Sequence, residues 1–331
     1  MKTFLRVLPL TVFVSLLLAI RIGGCQLLPV LTTESAMPSL TSEASSSETE
    51  KPTETTHSGT STNSPTETEP VSTTRPDGTE TQPTIMPTTT AAELSENNQS
   101  LGWSFIYADP AGQDRPTGIS DSVRKMIDRY DVIWQLPRTD RKVVYLTMDN
   151  GYEYNNNTAR ILDTAKLKGV PITFFIIGSY LVNNENLVIR MVEEGHTVAN
   201  HSYTHPDTVD MLAKEGVDAV LADMHRLETA YYELTGQEMA RFFRPPSGIY
   251  SERLLDLMSR EGYTTVFWSF AYRDWLTDDQ PDPAAAMERI LGQLHDGSII
   301  LLHAVSNTNT DILPALIDEI RARGYEFAAL P

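Results

Sequence analysis

Cysteine is almost absent from this chain: Cys25 is the only one in 331 residues. A single thiol cannot close an internal disulfide, so the fold does not rest on such bridges. Basic residues are scarce too, with 26 lysines and arginines against 44 aspartates and glutamates, a formal charge of −18. That balance excludes a nucleic-acid partner, because phosphate binding needs a basic face. Aromatic residues are missing between residues 32 and 100, where the sequence is mostly Thr, Ser, Pro and Glu. Such a stretch buries too little apolar surface to offset chain entropy, which excludes a folded domain there. Within it, eleven acidic residues oppose only Lys51 and Arg75, so half of the net charge lies in this stretch. The composition predicts a disordered, self-repelling linker over 26–100, suited to an anionic cell wall.

Long apolar runs are missing as well, except at the start. Lys2 and Arg6 precede a run from Val7 to Ile20, the length of a signal-peptide core and rather short for a membrane span. It leads into Ile22-Gly23-Gly24-Cys25, which resembles the lipobox of bacterial lipoproteins. Lipidation at Cys25 would give the two-signal anchoring that a single acyl chain lacks. Residues 1–25 are therefore expected to hold a monomeric protein at the extracellular face of the bacterial cytoplasmic membrane.

Beyond residue 140 the pattern changes. Short apolar or β-branched runs, Val143 to Met148, Ile172 to Ile177, Thr197 to Asn200, Thr265 to Ser269 and Ser298 to His303, read as buried strands. Helical stretches between them end at Gly169, Gly195, Gly236, Gly262 and Gly324, where left-handed caps are needed. Helix, glycine, strand is the repeating unit, which predicts an α/β fold with parallel strands inside and helices outside: a (β/α) barrel or a distorted relative. Residues 101–140, with Trp103 and an amphipathic stretch from Ser122 to Trp134, read as an extension packed on a barrel domain spanning 141–331.

Polar residues cluster just after these strands, at the face where barrel sites form. Thr147-Met148-Asp149-Asn150-Gly151 puts a carboxylate and an amide on a turn. His201-Ser202-Tyr203-Thr204-His205 carries imidazoles four apart, a spacing that on a helical turn can grip one metal ion. Phe243-Arg244-Pro245-Pro246-Ser247-Gly248 is a loop stiffened by two prolines, which can aim a backbone N–H at a developing oxyanion. Trp268 lies in the fourth run, Asp274 and Trp275 follow it, and His303 ends the fifth. His57, His196, His225 and His295 lie outside these clusters, the last two in helical stretches, and carry no functional expectation.

In this order and at these strand ends, the fragments resemble the carbohydrate esterase family 4 polysaccharide deacetylases, the NodB-homology domain. The resemblance covers residues 141–331 and implies a distorted (β/α)7-type barrel. Asp-Asn at 149–150 and Phe267-Trp268-Ser269 are most similar to the delta-lactam-biosynthetic, muramic-acid branch. By this resemblance Asp149 is a general base charged and oriented by Arg244, and His303 a general acid held by Asp274. His201 and His205 match two metal ligands, and Asn150 stands at the third, where most members carry a second aspartate. The implied cofactor is one divalent ion, zinc foremost, with manganese or cobalt as alternatives. A neutral amide ligand predicts loosely held metal, or help from Asp149. The Ser247 backbone N–H beside Pro246 matches the oxyanion site, and Trp275 lines the pocket for the acetyl methyl and the sugar face.

Two departures bear on the substrate: Ala271 replaces an aspartate found in many members, and Ser247 replaces an arginine of the muramic-acid branch. The resemblance implies removal of N-acetyl groups from peptidoglycan, N-acetylmuramic acid first. N-acetylglucosamine polymers or acetylxylan are the alternatives, and a decayed wall-binding lipoprotein is a third reading.

Overall fold

The computed structural model describes residues 93–107, 118–137 and 140–331; the export, Cys25 lipidation and most of the linker readings fall outside these residues. The chain enters through β1 (Leu101–Gly102), α1 (Asp121–Ile127) and β2 (Val132–Ile133). It continues with β3 (Lys142–Asn150), α2 (Asn157–Lys168), β4 (Ile172–Ile176), α3 (Gly178–Asn183), α4 (Glu185–Glu193) and β5 (Thr197–Asn200). Next come α5 (Thr208–Lys214), α6 (Val217–Thr235), β6 (Ala240–Phe243), a 3-10 turn (Pro246–Gly248), β7 (Ile249–Tyr250) and α7 (Glu252–Arg260). The fold ends with β8 (Thr264–Val266), α8 (Pro283–Gly292), β9 (Ser298–His303), α9 (Asn307–Ala322) and β10 (Tyr325–Phe327).

The main sheet runs β10, β3, β4, β5, β6, β8, β2, with β9 also on β3, and its ladders are parallel. At nine residues β3 is long enough to serve two partners on one side: its start pairs with β10 and its later part with β9. The ring closes by single bridges, Phe270 to Ile300 and Gln135 to Ser298, which makes the barrel distorted. Side chains alternate across it. Val144, Leu146 and Met148 of β3, Ile172, Phe174 and Ile176 of β4, and Ile300 and Leu302 of β9 pack in the large core with the helices. The opposite parity, with Phe175, Ala199, Val266 and Ile299, fills a smaller inner core against Tyr145 and Trp268. This parity carries Thr147 and Asp149 to the inner side.

The five glycines foreseen as helix ends all have positive φ, from 59° at Gly169 to 83° at Gly324. A side chain there would meet the left-handed penalty that glycine escapes.

Several local expectations are corrected. Asp149 and Asn150 lie on the last residues of β3 and not on a turn after it, because Asp149 pairs with Phe175 and His303, and Asn150 with Ile176. Within the amphipathic stretch from Ser122 to Trp134 the helix stops at Ile127, since Val132 and Ile133 are drawn into β2 beside β8. At two to four residues each, β2, β6 and β10 are too short to be read as strands from local pattern. The folded part also begins before residue 101: Leu94 packs on the barrel, Ser95 N–H donates to Asp256 (2.7 Å), and Ser251 donates to Asn98 (2.6 Å). Composition put these residues in the linker because their contacts are polar and distant in sequence. Finally, His295 lies in the loop after α8, while His225 is in α6.

Candidate active site

The residues singled out in the sequence gather at the C-terminal ends of β3, β5, β6 and β9 and in the loop after β8. Asp149 and His303 are opposite one another in the parallel β3–β9 ladder, so two strands alone bring them together.

Arg244, just after β6, is fully buried with every branch of its guanidinium engaged. Nη1 donates to Asp149 Oδ1 (2.7 Å), Nη2 to Thr147 Oγ1 (3.0 Å) and Nε to the Val266 carbonyl (3.1 Å). Its Cζ lies 3.9 Å from the centre of the Phe175 ring. Lysine could not replace this fork, since it offers a point charge without the planar geometry. Burial pushes the Asp149 pKa up, but the charge and hydrogen bond of Arg244, with the nearby imidazoles, outweigh it and leave it below the ordinary carboxylate value. Asp149 is therefore an ionised, oriented proton acceptor near neutral pH.

The second pair mirrors the first with a titratable cation. Asp274, also fully buried, accepts from His303 Nδ1 (2.7 Å) through Oδ1 and from the His303 backbone N–H (2.9 Å) through Oδ2. Burial lowers the His303 pKa, yet the charge and hydrogen bond of Asp274, with help from Asp149, raise it above the ordinary histidine value. Trp275 is exposed and flanks this ring, centroid to centroid 5.5 Å.

His201 and His205 approach with centroids 4.9 Å apart. They do not share a helical turn as their spacing suggested: they lie on a loop in which Ser202 and His205 adopt positive φ of 68° and 54°. The loop is held by polar contacts. Asp223 of α6 accepts from Tyr203 N–H (2.7 Å) and the Thr204 hydroxyl (2.7 Å), while Ser202 Oγ accepts from His205 N–H (3.0 Å). His201 Nδ1 donates to the Arg244 carbonyl (2.7 Å), leaving Nε2 as the acceptor atom, 3.6 Å from Asp149 Oδ2. Burial lowers the His201 pKa to about 4, so the ring is neutral and ligand-competent at neutral pH.

Among the described residues no three His, Cys, Asp or Glu side chains form a metal cluster; the third position is the amide of Asn150. Its Nδ2 donates to Thr158 Oγ1 (3.4 Å), and its buried Oδ1 has no hydrogen-bond partner. Asn150 pairs with Ile176, whose carbonyl accepts from His201 N–H (3.1 Å), so amide and imidazole stand at the same level of the mouth. An orphaned oxygen, a neutral imidazole and a nearby carboxylate fit a divalent cation.

Ser247 lies exposed in the 3-10 turn with φ 55°, followed by Gly248 at 66°. Gly248 is required: a Cβ there would lie 2.8 Å from the Trp268 ring and 3.3 Å from Trp103. Sequence reasoning missed what pins this loop. The Trp103 N–H donates to the Gly248 carbonyl (2.8 Å), its indole N–H donates to the Trp268 carbonyl (2.9 Å), and its ring stacks on Phe267 at 4.2 Å. β1 then pairs antiparallel with β7 directly after the turn. A lone tryptophan in an unpatterned segment was the only signal.

Comparison with known proteins agrees with this geometry. Residues 137–266 match the family model described as polysaccharide deacetylase, a match that stops short of Asp274 and His303. The peptidoglycan-N-acetylmuramic acid deacetylase PdaA of Bacillus subtilis is 34% identical over 233 residues, covering 70% of this chain and 85% of that protein. The solved structure of PdaA, a family 4 carbohydrate esterase, superposes with a TM-score of 0.65 and covers 95% of its own chain and 70% of this one. The chitooligosaccharide deacetylase of Bradyrhizobium sp. (strain ANU 289) is 35% identical over 202 residues, 57% of this chain and 89% of that one.

Proposed function

Because the chain belongs to the polysaccharide deacetylase family, we propose that this hydrolase removes the N-acetyl group of a cell-wall amino sugar, N-acetylmuramic acid of peptidoglycan foremost. The observation that carries the reading is the register pairing of Asp149 with His303, each with its own opposite charge.

His201, His205 and Asn150 would hold a divalent cation, which when bound would supply Lewis-acid charge to the reaction. Asp149, ionised beside Arg244, accepts the proton of that water as its oxygen attacks the carbonyl carbon. The backbone N–H of Ser247 donates to the oxyanion as it develops. His303, kept protonated by Asp274, gives its proton to the amide nitrogen, the C–N bond breaks, and acetate and a free amine leave. Trp275 supports the sugar from the His303 side, as an exposed ring stacks on pyranose C–H surfaces.

The likeness to a muramic-acid deacetylase supports that sugar, on which the freed amine can close a lactam with the neighbouring lactyl group. Ser247 in place of an arginine, together with the chitooligosaccharide relative, supports N-acetylglucosamine polymers as the second reading. The basic start, apolar run and Cys25 support a lipid anchor that holds the domain near the wall.

The test is acetate release by the full-length chain from peptidoglycan strands stripped of stem peptides, beside chitooligosaccharides and acetylated xylan, with chelator and with added zinc, manganese or cobalt. Chelator-sensitive release from the stripped peptidoglycan alone is the expected outcome. Release from chitooligosaccharides alone moves the substrate to N-acetylglucosamine, and polymer binding without release under any metal means a decayed wall-binding protein.

A further inference from the structure

The carboxylate that holds His303 is itself held, by Asn309 and, through it, Tyr272. Asp274 Oδ2 accepts from Asn309 Nδ2 at 2.5 Å, beside its bond from the His303 backbone. The Asn309 carbonyl oxygen is occupied in turn by the hydroxyl of Tyr272, which donates to it. Asn309 and Tyr272 are both buried, and Tyr272 sits two residues before Asp274. Asn309 stands in the first turn of α9, where its own N–H donates to the N-cap Ser306 Oγ (3.2 Å). One continuous segment, the end of β9 and the start of α9, thus carries both the imidazole and the amide that fixes its carboxylate partner.

An amide beside a carboxylate must present its NH2 group, because its oxygen would repel the charge. Two faces of similar shape make a flipped orientation sterically equivalent. The Tyr272 hydroxyl removes that ambiguity by donating to one face only, which directs the other at Asp274. In a buried network each satisfied partner holds the next, and a half-satisfied one loosens the chain.

We propose that Asn309 and Tyr272 are positioning residues of the reaction: together they lock Asp274 in the orientation that aims the His303 imidazole at the leaving nitrogen. This rests on His303 as the acid. The groups facing His303 are Asp274, Asp149 and Arg244, with Trp275 against the ring and His205 within electrostatic reach, and substitution of Asn309 or Tyr272 leaves all of them in place.

The test uses the full-length chain with Tyr272→Phe and the near-isosteric Asn309→Leu. Expected are a fall in kcat of roughly ten- to hundredfold, a loss of the size seen when partners behind metal-ligating side chains are removed, an unchanged KM, and a basic limb of the pH–kcat profile at lower pH. Imidazole nitrogen NMR, assigned with His303→Gln, should show the same downward displacement of the His303 titration and a weakened Nδ1–H hydrogen bond. Asn309→Gln, which keeps the amide, should recover part of the rate in a way Asn309→Leu does not. If both variants fold and His303 titrates as in the parent chain, the positioning role is overturned. Should the parent chain release no acetate, the deacetylase reading falls, while the NMR titration still decides whether Asn309 and Tyr272 hold the pair.

Discussion

Two buried carboxylates stand in one barrel mouth, and they differ in the cation each is given. Asp149 meets Arg244, a group that keeps its proton at any working pH; Asp274 meets His303, which can release one. Both cations donate at 2.7 Å, so distance does not separate the two pairs. The permanent charge keeps Asp149 ionised and free to accept a proton. The titratable partner turns Asp274 into a device for keeping an acid loaded. One mouth can thus hold base and acid side by side without their exchanging protons, because their environments push the two pKa values apart.

The hardest break in this comparison is Asp149→Asn. It should lower kcat by about 10²–10⁴-fold, the worth of a positioned general base. It also strands the buried Arg244, costing roughly 3–5 kcal/mol of unfolding free energy. Acetate assays and denaturant unfolding check the two losses separately.

Asp274→Asn attacks the other pair and should act through pH. His303 has a raised pKa, so its loaded form persists to higher pH and is lost as pH rises through that value. Removing the carboxylate lowers the pKa, so the basic limb of the kcat profile must move to lower pH, with kcat at neutral pH down by roughly ten- to hundredfold. A limb that stays in place would show that Asp274 does not set the acid.

Asn150→Asp sharpens the contrast by adding a third carboxylate on the Asp149 side. Calorimetric titration should find zinc bound about tenfold or more tightly, since a charged oxygen replaces a neutral one. The smallest effect belongs to Thr147→Val, which removes the acceptor of Arg244 Nη2 (3.0 Å) and leaves that N–H buried without a partner. About 1–3 kcal/mol of stability should be lost. A less well-held Arg244 depresses the Asp149 pKa less, so the acid limb of the profile moves to higher pH.

Much of this site was legible because its pieces sit at strand ends that announce themselves. Buried runs such as Ile172 to Ile176 can hardly be anything but strands, and a polar residue right after one falls at the mouth. His201 and His205 were recognised as a pair, yet a helical spacing misdescribed them, because the loop bends through positive φ at Ser202 and His205 under the grip of Asp223. Nothing local marks Asp223, which lies twenty residues away from Tyr203 on α6. Trp103, Asn309 and Tyr272 escaped for the same reason: each acts through a partner distant in the chain, and each residue type is common in ordinary packing.

The sequence by itself determined the charge balance, the position of the core-poor stretch, the βα repeat and the residue types at each strand end, because these follow from local composition and periodicity. Tertiary structure alone decided that Asp149 faces His303 across one ladder and that all three guanidinium nitrogens of Arg244 donate inside the barrel. It also decided that an amide and a phenol stand behind Asp274. Those arrangements depend on register and on contacts between residues more than 90 apart, or otherwise far from neighbours in the chain, and no local pattern encodes them.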